Sequence, residues 1–379
     1  MRRLFIAVVA LSLVGVAACG DDEGEPADEF AVEEAEEVEE APEPEEVEEV
    51  EEPEEVEEPE EADEPEEAEE PEEAEEPVAV ERPELELVAG SAGPVTVTPS
   101  ECRVEGYDLE GPERVDGFAF AGERAFIHHE GVRAFTFTSG EDCVLELDTS
   151  FGENGLLPDT ESRGSLSAGG DGRLAASGLP GTLVFDTLQD QSFACDNMRG
   201  HVALSPDGSE ALLRWPGRDA VERWELTDTI CTELDGITFD TMPDVRFITY
   251  DGDDLLVGGG DADEDTSAGR FRDGTPVWQT SSEGAGSPLW FGWVHGMAPC
   301  DPYTCMIDTN TDQVLLFDDG DGSLVAAFDL GELLGERGWW EPLLLGDDGA
   351  NYLLFNKGVD DEDGDRTNFG YVVRLEVTS

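Results

Sequence analysis

Basic residues are scarce in this 379-residue chain, which has 20 lysines and arginines against 94 aspartates and glutamates. The formal net charge at pH 7 is −74. Nucleic acids and anionic lipid surfaces attract proteins through Lys and Arg side chains that replace counterions. The composition therefore excludes nucleic acid as a partner and disfavours electrostatic binding to a membrane surface.

The chain also lacks the motifs on which many enzymes and metal centres depend. Its four histidines, His128, His129, His201 and His295, show no His-Glu-x-x-His or other paired spacing. It has no Gly-x-Ser-x-Gly nucleophile elbow and no phosphate-binding glycine loop. Carboxylates are so abundant that no pair stands out as acid and base. We therefore expect a protein that is not an enzyme and that holds no organic cofactor.

The sequence has no apolar run long enough to span a bilayer comfortably. Its longest apolar run lies at the N-terminus. Arg2 and Arg3 precede the apolar run Leu4–Val16, which is too short to span a bilayer comfortably and is typical of a secretory signal. The end of this segment, Val-Ala-Ala-Cys at 16–19, resembles a bacterial lipobox, although Leu is the usual first residue. The resemblance implies that Cys19 is acylated and becomes the mature N-terminus. An ordinary cleaved signal with an incidental cysteine is the alternative.

Residues 20–84 form a linker of Glu, Pro, Ala and Val with few large apolar side chains. Residues 21–100 contain 38 acidic residues and one basic residue, Arg82. Such a segment buries too little apolar surface to fold, and like charges extend it. We expect a disordered tether that holds residues 85–379 away from the lipid. A cation-binding or protein-docking tail is the other interpretation.

Short hairpins recur from residue 115 onward. Apolar strands run into tight turns near residues 122, 172, 208, 252, 303 and 349, about every 45 residues, and four short strands with their turns fill such a period in β-propellers. A second pair of short strands follows most hairpins. The fold class is therefore all-β, a β-propeller of about six four-stranded blades. A seventh blade and a β-sandwich array are the alternatives.

The sixth unit has only three strands, since the chain ends after Gly370–Val377. We expect Cys102–Leu109 to supply the fourth strand, because its sequence CRVEGYDL resembles CVLELD of the first unit. Pairing the two termini closes the ring and removes exposed strand edges.

Three segments carry a family resemblance. The Ser-Pro-Asp-Gly turn at 205–208 resembles turns of WD40-like and TolB-like bacterial propellers. Residues 274–280, GTPVWQT, and 319–331, DGDGSLVAAFDLG, are similar to repeats of quinoprotein-like propellers. The resemblance covers most of 115–379 and implies the propeller fold, but it names no function. The strict WD signature is absent.

Six cysteines remain after Cys19, an even number that favours disulfides in an exported chain. Cys300 and Cys305 flank a four-residue turn and are expected to pair across it. The other four fall near the outer strands of successive units, so neighbour pairing is the simplest arrangement: Cys102 with Cys143, and Cys195 with Cys231. The sequence lacks the Cys-x-x-Cys spacing that a metal or redox site would need.

Two acidic loops resemble calcium loops, because calcium takes six to eight oxygen ligands and alternating carboxylates supply several from one loop. They contain Asp261, Asp263 and Asp265, and then Asp361, Asp363 and Asp365. Neither has the downstream Glu of an EF-hand, and solvated loops explain both equally well.

Tryptophans cluster before two of the predicted units. Trp290, Trp293 and His295 precede or begin the fifth, and Trp339 and Trp340 precede the sixth. Such connections lie on one face of a propeller, and Trp is enriched at binding hot spots. We therefore consider an apolar recognition patch, with packing between blades as the alternative.

The sequence thus predicts a monomeric lipoprotein of the cell envelope, held on the outer membrane if the host has one. Its propeller binds a protein, a peptide or a glycan without catalysis. The alternatives are a quinoprotein-like or hydrolytic enzyme with its site in the central channel, and a calcium-dependent adhesion module.

Overall fold

The computed structural model describes residues 82–379 apart from 159, 161–164, 170–171, 179–180, 190, 215–219, 228, 243, 260–266, 282–293, 309–310, 336–337, 341–343, 346–348 and 361–363. These described residues form small antiparallel sheets, which are the six blades of a β-propeller. The predicted fold class is confirmed.

The strands are numbered along the chain. Four lie before the first blade: β1 Gly90–Ala92, β2 Val95–Glu101, β3 Arg103–Glu105 and β4 Glu110–Gly111. Blade 1 contains β5 Phe118–Ala121, β6 Arg124–His128, β7 Val132–Thr138 and β8 Val144–Leu147. Blade 2 contains β9 Ser165–Ala168, β10 Arg173–Gly178, β11 Gly181–Asp186 and β12 Gln191–Cys195. Blade 3 contains β13 His201–Leu204, β14 Glu210–Arg214, β15 Ala220–Leu226 and β16 Cys231–Thr238.

Blade 4 contains β17 Val245–Asp251, β18 Asp254–Gly259, β19 Ser267–Arg272 and β20 Thr275–Ser281. Blade 5 contains β21 Val294–Cys300, β22 Tyr303–Asp308, β23 Gln313–Asp318 and β24 Leu324–Asp329, and helix α1 Leu330–Leu334 follows it. Blade 6 contains two short pieces of a first strand, β25 Trp339–Trp340 and β26 Leu344–Leu345, and then β27 Asn351–Asp360 and β28 Arg366–Thr378. Each blade's first strand begins on one face of the ring, which we call the upper face; its second strand ends there.

The ring is closed by pairing the two ends of the folded region, but not through the predicted segment. The fourth strand of blade 6 is β2, which pairs with β28 from Thr96↔Thr378 to Glu101↔Val373. Residues 102–109 were expected in this role, and that expectation is wrong. Instead, β3 pairs in parallel with β8 as a fifth strand of blade 1, and the two similar sequences lie side by side.

Six separate apolar cores lie between neighbouring blades, and each contains residues of two adjacent blades. They arise because alternate residues of a strand point to opposite faces of its sheet. In β27, Leu353 and Phe355 face blade 5, whereas Tyr352 and Leu354 face blade 1. A closed ring has as many interfaces as blades, so the six cores independently support the six-bladed count.

The Ser-Pro-Asp-Gly turn that connects β13 to β14 is held by its own aspartate. The Asp207 carboxylate accepts hydrogen bonds from the Ser205 hydroxyl (2.7 Å) and from the Ser209 backbone N–H (3.1 Å). These bonds lower the pKa of Asp207 below its usual range. Gly208 has a φ of 67°, a left-handed conformation that glycine adopts without strain.

Three disulfides are present, with the three pairings that the sequence predicts: Cys102–Cys143, Cys195–Cys231 and Cys300–Cys305. The first two occupy equivalent places. Each joins the end of one blade's outer strand to the start of the next blade's outer strand, from blade 6 to blade 1 and from blade 2 to blade 3. The third lies within the first hairpin of blade 5. Disulfides of this kind indicate an oxidising, extracytoplasmic environment.

Residues 82–89 pack against the ring rather than extending away from it. The Arg82 guanidinium lies 4.2 Å from the centre of the Tyr371 ring and donates to the Gly370 carbonyl (2.8 Å). Leu85 and Leu87 pack on the core between blades 5 and 6. Arg82, the first residue that the structure describes, thus already contacts the propeller. No helix within the described ranges is long and apolar enough to cross a membrane.

Candidate binding face

The backbone brings the predicted aromatic segments to the upper face. Trp339 and Trp340 form β25 and pair with Asn356 and Phe355 near the upper end of blade 6. His295 is the second residue of β21, which begins at the upper end of blade 5. Trp290 and Trp293 lie outside the described residues, so the predicted patch is placed only through the strands that flank it.

Asn356 links blade 6 to the segment that leads into blade 1. Its amide oxygen accepts from the Val115 N–H (3.0 Å), and its amide nitrogen donates to the Val115 carbonyl (2.8 Å). The side chain is only 2% exposed, and both backbone groups of Val115 are satisfied by this one residue. The strand β27, which pairs with Trp339, is thereby fixed against the segment that leads into blade 1.

His128 ends the second strand of blade 1 and joins two connections on the upper face. Its Nδ1 contacts the Asp116 carboxylate, and its Nε2 lies 3.2 Å from the Thr160 carbonyl oxygen. Burial alone lowers the pKa of His128, but the Asp116 hydrogen bond and charge, together with the Thr160 carbonyl, raise it above its ordinary value. In the protonated form both ring nitrogens donate, so His128 holds the two connections together.

The pKa of the neighbouring His129 shifts in the opposite direction. It is 2% exposed, its Nδ1 lies 3.0 Å from the Tyr107 hydroxyl, and burial lowers its pKa. The Arg133 guanidinium stacks 4.1 Å from the centre of the Tyr107 ring. Burial raises the pKa of Tyr107, so both partners of the 3.0 Å contact are neutral at pH 7. The pKa values of the two adjacent histidines thus shift in opposite directions: His128 contacts the Asp116 carboxylate, whereas burial outweighs the nearby carboxylates at His129.

A recess of about 690 Å³ lies beside this cluster, between the segment that contains β4 and the tip of the β27–β28 hairpin. Its lining residues are Asp108, Glu110, Gly111, Pro112, Asp365, Arg366 and Thr367. Asn368 fixes one wall by donating from its side-chain amide to the Pro112 carbonyl (2.8 Å). Three carboxylates against one guanidinium make this recess acidic, which suits a neutral or cationic ligand better than an anion.

Asp365 is the only predicted calcium ligand that the structure describes, and it lines this recess. Asp261, Asp263, Asp265, Asp361 and Asp363 lie outside the described residues. In the part of the chain that is described, no three His, Cys, Asp or Glu side chains are grouped as a metal centre. The calcium loops therefore stay a prediction.

Sequence reasoning missed most of this cluster: Tyr107, Asp116, Arg133, Thr160 and Asn356 were not singled out. Asn356 and Val115 come together only when the ring closes, because they are 241 positions apart. The usable signal was local: a polar residue in the upper half of a second strand, as at His128 and Asn356.

Strand pairing and site together define a six-bladed β-propeller with a candidate binding face at the junction of blades 6 and 1. No protein-family model and no curated protein matches the chain. Solved structures do match. A chain of hydrazine synthase from Kuenenia stuttgartiensis is 13% identical, with 64% of this chain and 76% of that chain covered and a TM-score of 0.45.

Two further solved structures match with similar sequence identity, coverage and TM-score. A chain of a nidogen/laminin complex is 13% identical, with 59% of this chain and 82% of that chain covered and a TM-score of 0.42. A chain of a mitotic checkpoint complex is 11% identical, with 75% and 82% covered and a TM-score of 0.43. At these identities and TM-scores, no function is transferred to this chain.

Proposed function

We propose that this protein is a lipid-anchored, extracytoplasmic binding module whose propeller holds a protein, a peptide or a glycan of the cell envelope without catalysis. The observation that carries the proposal is the position of β25. Its two tryptophans belong to the upper end of blade 6, where Asn356 fixes their partner strand to the start of blade 1. Two tryptophans on a strand of the upper face are suited to recognition, because Trp is enriched at binding hot spots.

The anchor in this proposal is Cys19, with residues 20–84 as the tether. The apolar run before Cys19 supports it, as do the three disulfides, which are typical of exported chains. Several acyl chains on one residue give stable attachment to a membrane. We expect palmitate to label the wild-type chain and not Cys19→Ala, which should be released from the envelope fraction; equal labelling of both would contradict the anchor.

The binding role is tested on the two described tryptophan positions. The full chain and Trp339→Ala/Trp340→Ala are offered arrays of envelope glycans and of peptides that represent envelope proteins. We expect the double variant to lose at least about tenfold in affinity, because hot-spot aromatic residues dominate such interfaces.

Two variants serve as controls. Val277→Ala changes a side chain that is 48% exposed on the outer strand of blade 4, away from the upper face, and should bind like the wild type. Trp339→Phe/Trp340→Phe retains aromatic area and should recover much of the affinity. Unchanged binding by the folded double-alanine variant, judged by its circular dichroism, would contradict the proposed face.

A further inference from the structure

The three disulfides differ in their access to solvent. Cys102, Cys143, Cys195, Cys300 and Cys305 are at most 4% exposed. Cys231 is the exception, since its side chain is only partly buried. An attacking thiolate must reach a sulfur atom, so Cys195–Cys231 is the bond that solvent thiols reach first, and they reach it from the Cys231 side.

A cleft of about 270 Å³ opens at this bond, on the rim between blades 2 and 3. Its lining residues are Ala194, Cys195, Asp196, Asn197, Trp224, Thr229, Ile230 and Cys231. Ile230 is 60% exposed at the mouth, whereas Trp224 is 6% exposed. The cleft therefore gives an incoming group a path to Cys231 along apolar side chains. The Asp196 carboxylate disfavours anionic thiols there.

Blades 2 and 3 are held together by contacts that do not need this disulfide. Arg173 of blade 2 donates to the carbonyl oxygens of Gly208 (2.9 Å) and Leu226 (3.0 Å) of blade 3. The Leu204 N–H of blade 3 donates to the Ser167 hydroxyl of blade 2 (2.9 Å). The apolar core of this interface contains Cys195, but it also contains Val184 of blade 2 and Leu204 and Leu213 of blade 3, which pack without the disulfide bond. The bond can therefore open while the two blades stay in contact.

We propose that Cys195–Cys231 is a thiol-exchange site, reduced by an uncharged dithiol or by a dithiol protein, and that the other two disulfides are structural. The thiolate of the dithiol attacks Sγ of Cys231. A mixed disulfide forms there, the Cys195–Cys231 bond breaks, and Cys195 leaves as a thiolate that takes up a proton. The second thiol of the reductant then attacks the mixed disulfide, which releases Cys231 reduced and the reductant oxidised as its own disulfide.

The test uses the full chain with Cys19→Ala, which removes the only cysteine outside these pairs. The folded protein is titrated with dithiothreitol, quenched with N-ethylmaleimide, and analysed by peptide mass spectrometry. We expect Cys195 and Cys231 to be labelled at least about tenfold faster than the other four cysteines, because reactivity follows access to the sulfur. Equal labelling of all six, or earlier labelling of Cys300 and Cys305, would overturn the proposal.

Two substitutions at the mouth of the cleft separate access from stability. Ile230→Trp should slow labelling of Cys195 and Cys231 several-fold and Ile230→Ala should accelerate it, while labelling of Cys102 and Cys143 stays unchanged. Equal labelling rates in both variants would show that the cleft is not the route.

Trp224 supplies an optical readout. Its fluorescence should rise as the adjacent disulfide is reduced, and Trp224→Phe should abolish that rise.

Discussion

Single polar side chains hold the upper face of the ring together. His128 ends the second strand of blade 1 and Asn356 lies within the second strand of blade 6, and each bonds to the connection that leads into the next blade. Such residues matter because the connections cross from one blade to another without a strand partner. An unpaired backbone group that is buried costs about 1–3 kcal/mol, so one side chain that satisfies two groups contributes strongly to stability.

The first prediction concerns Asn356→Ala. Loss of the side-chain amide leaves the N–H and the carbonyl of Val115 without their partner in a buried site. We expect the free energy of unfolding to fall by about 2–4 kcal/mol in chemical denaturation. Asn368→Ala is the matched control, because Asn368 makes one such bond, to the Pro112 carbonyl, and should cost about half as much. Equal small losses would show that the Val115 contact is not a main support.

The second prediction concerns pH. The pKa of His128 is raised in the folded protein above its ordinary value of 6.5. The folded state therefore binds this proton more tightly, and the resulting stability is fully present below pH 6.5 and is lost as pH rises through the raised pKa. His128→Asn does not titrate, so the difference in unfolding free energy between wild type and variant should shrink from pH 5 to pH 9.

His129 is present in both proteins. Its pKa is lowered, first by burial and also by the His128 charge, so it destabilises the folded state as pH falls below 6.5; this contribution cancels between the two proteins except for its coupling to His128. A difference that stays constant, or that grows with pH, would contradict a charged His128 in the folded protein.

Strands and disulfides were predictable where local patterns determine them. Asp-Gly and similar turns between short apolar strands marked five complete blades, and cysteines near successive outer strands marked the pairings. The closing strand β2 was missed because Pro99 interrupts it, and proline argues against a central strand. In the structure β1 pairs only with Val95–Val97, so no neighbouring strand requires an N–H from Pro99.

The third prediction compares two disulfides by the length of chain that they enclose. Cys102–Cys143 spans 41 positions and Cys300–Cys305 spans 5. On the chain-entropy model, removing the first costs about 4 kcal/mol and removing the second about 2 kcal/mol. We expect Cys102→Ala/Cys143→Ala to lower the melting temperature more than Cys300→Ala/Cys305→Ala in calorimetry, and the reverse order would contradict this reasoning.

Ring closure explains why the candidate site was only partly predictable. The tryptophan segments were found because each precedes a strand, and strand starts of a propeller share a face. The link between Val115 and Asn356 was not found, since these residues meet only after segments near both ends of the folded region have joined. Pairing between residues far apart in the chain produces no repeating pattern in the sequence. The upper face at blades 6 and 1 is therefore a product of closure.

The fourth prediction tests closure with two truncated chains. A chain that begins at residue 90 keeps β2 and, of the described residues, loses 82–89 and their packing, so it should unfold cooperatively a few degrees below the wild type. A chain that begins at residue 102 loses Val95 and Val97, which are fully buried, and leaves β28 as a long unpaired edge. We expect it to self-associate in size-exclusion chromatography and to lose cooperative unfolding.

Adding a peptide of residues 90–101 should restore the monomeric state and cooperative unfolding. The same peptide with Val97→Asp should not, because a buried unpaired carboxylate opposes docking. If the chain from residue 102 melts like the chain from residue 90, the ring does not depend on this strand.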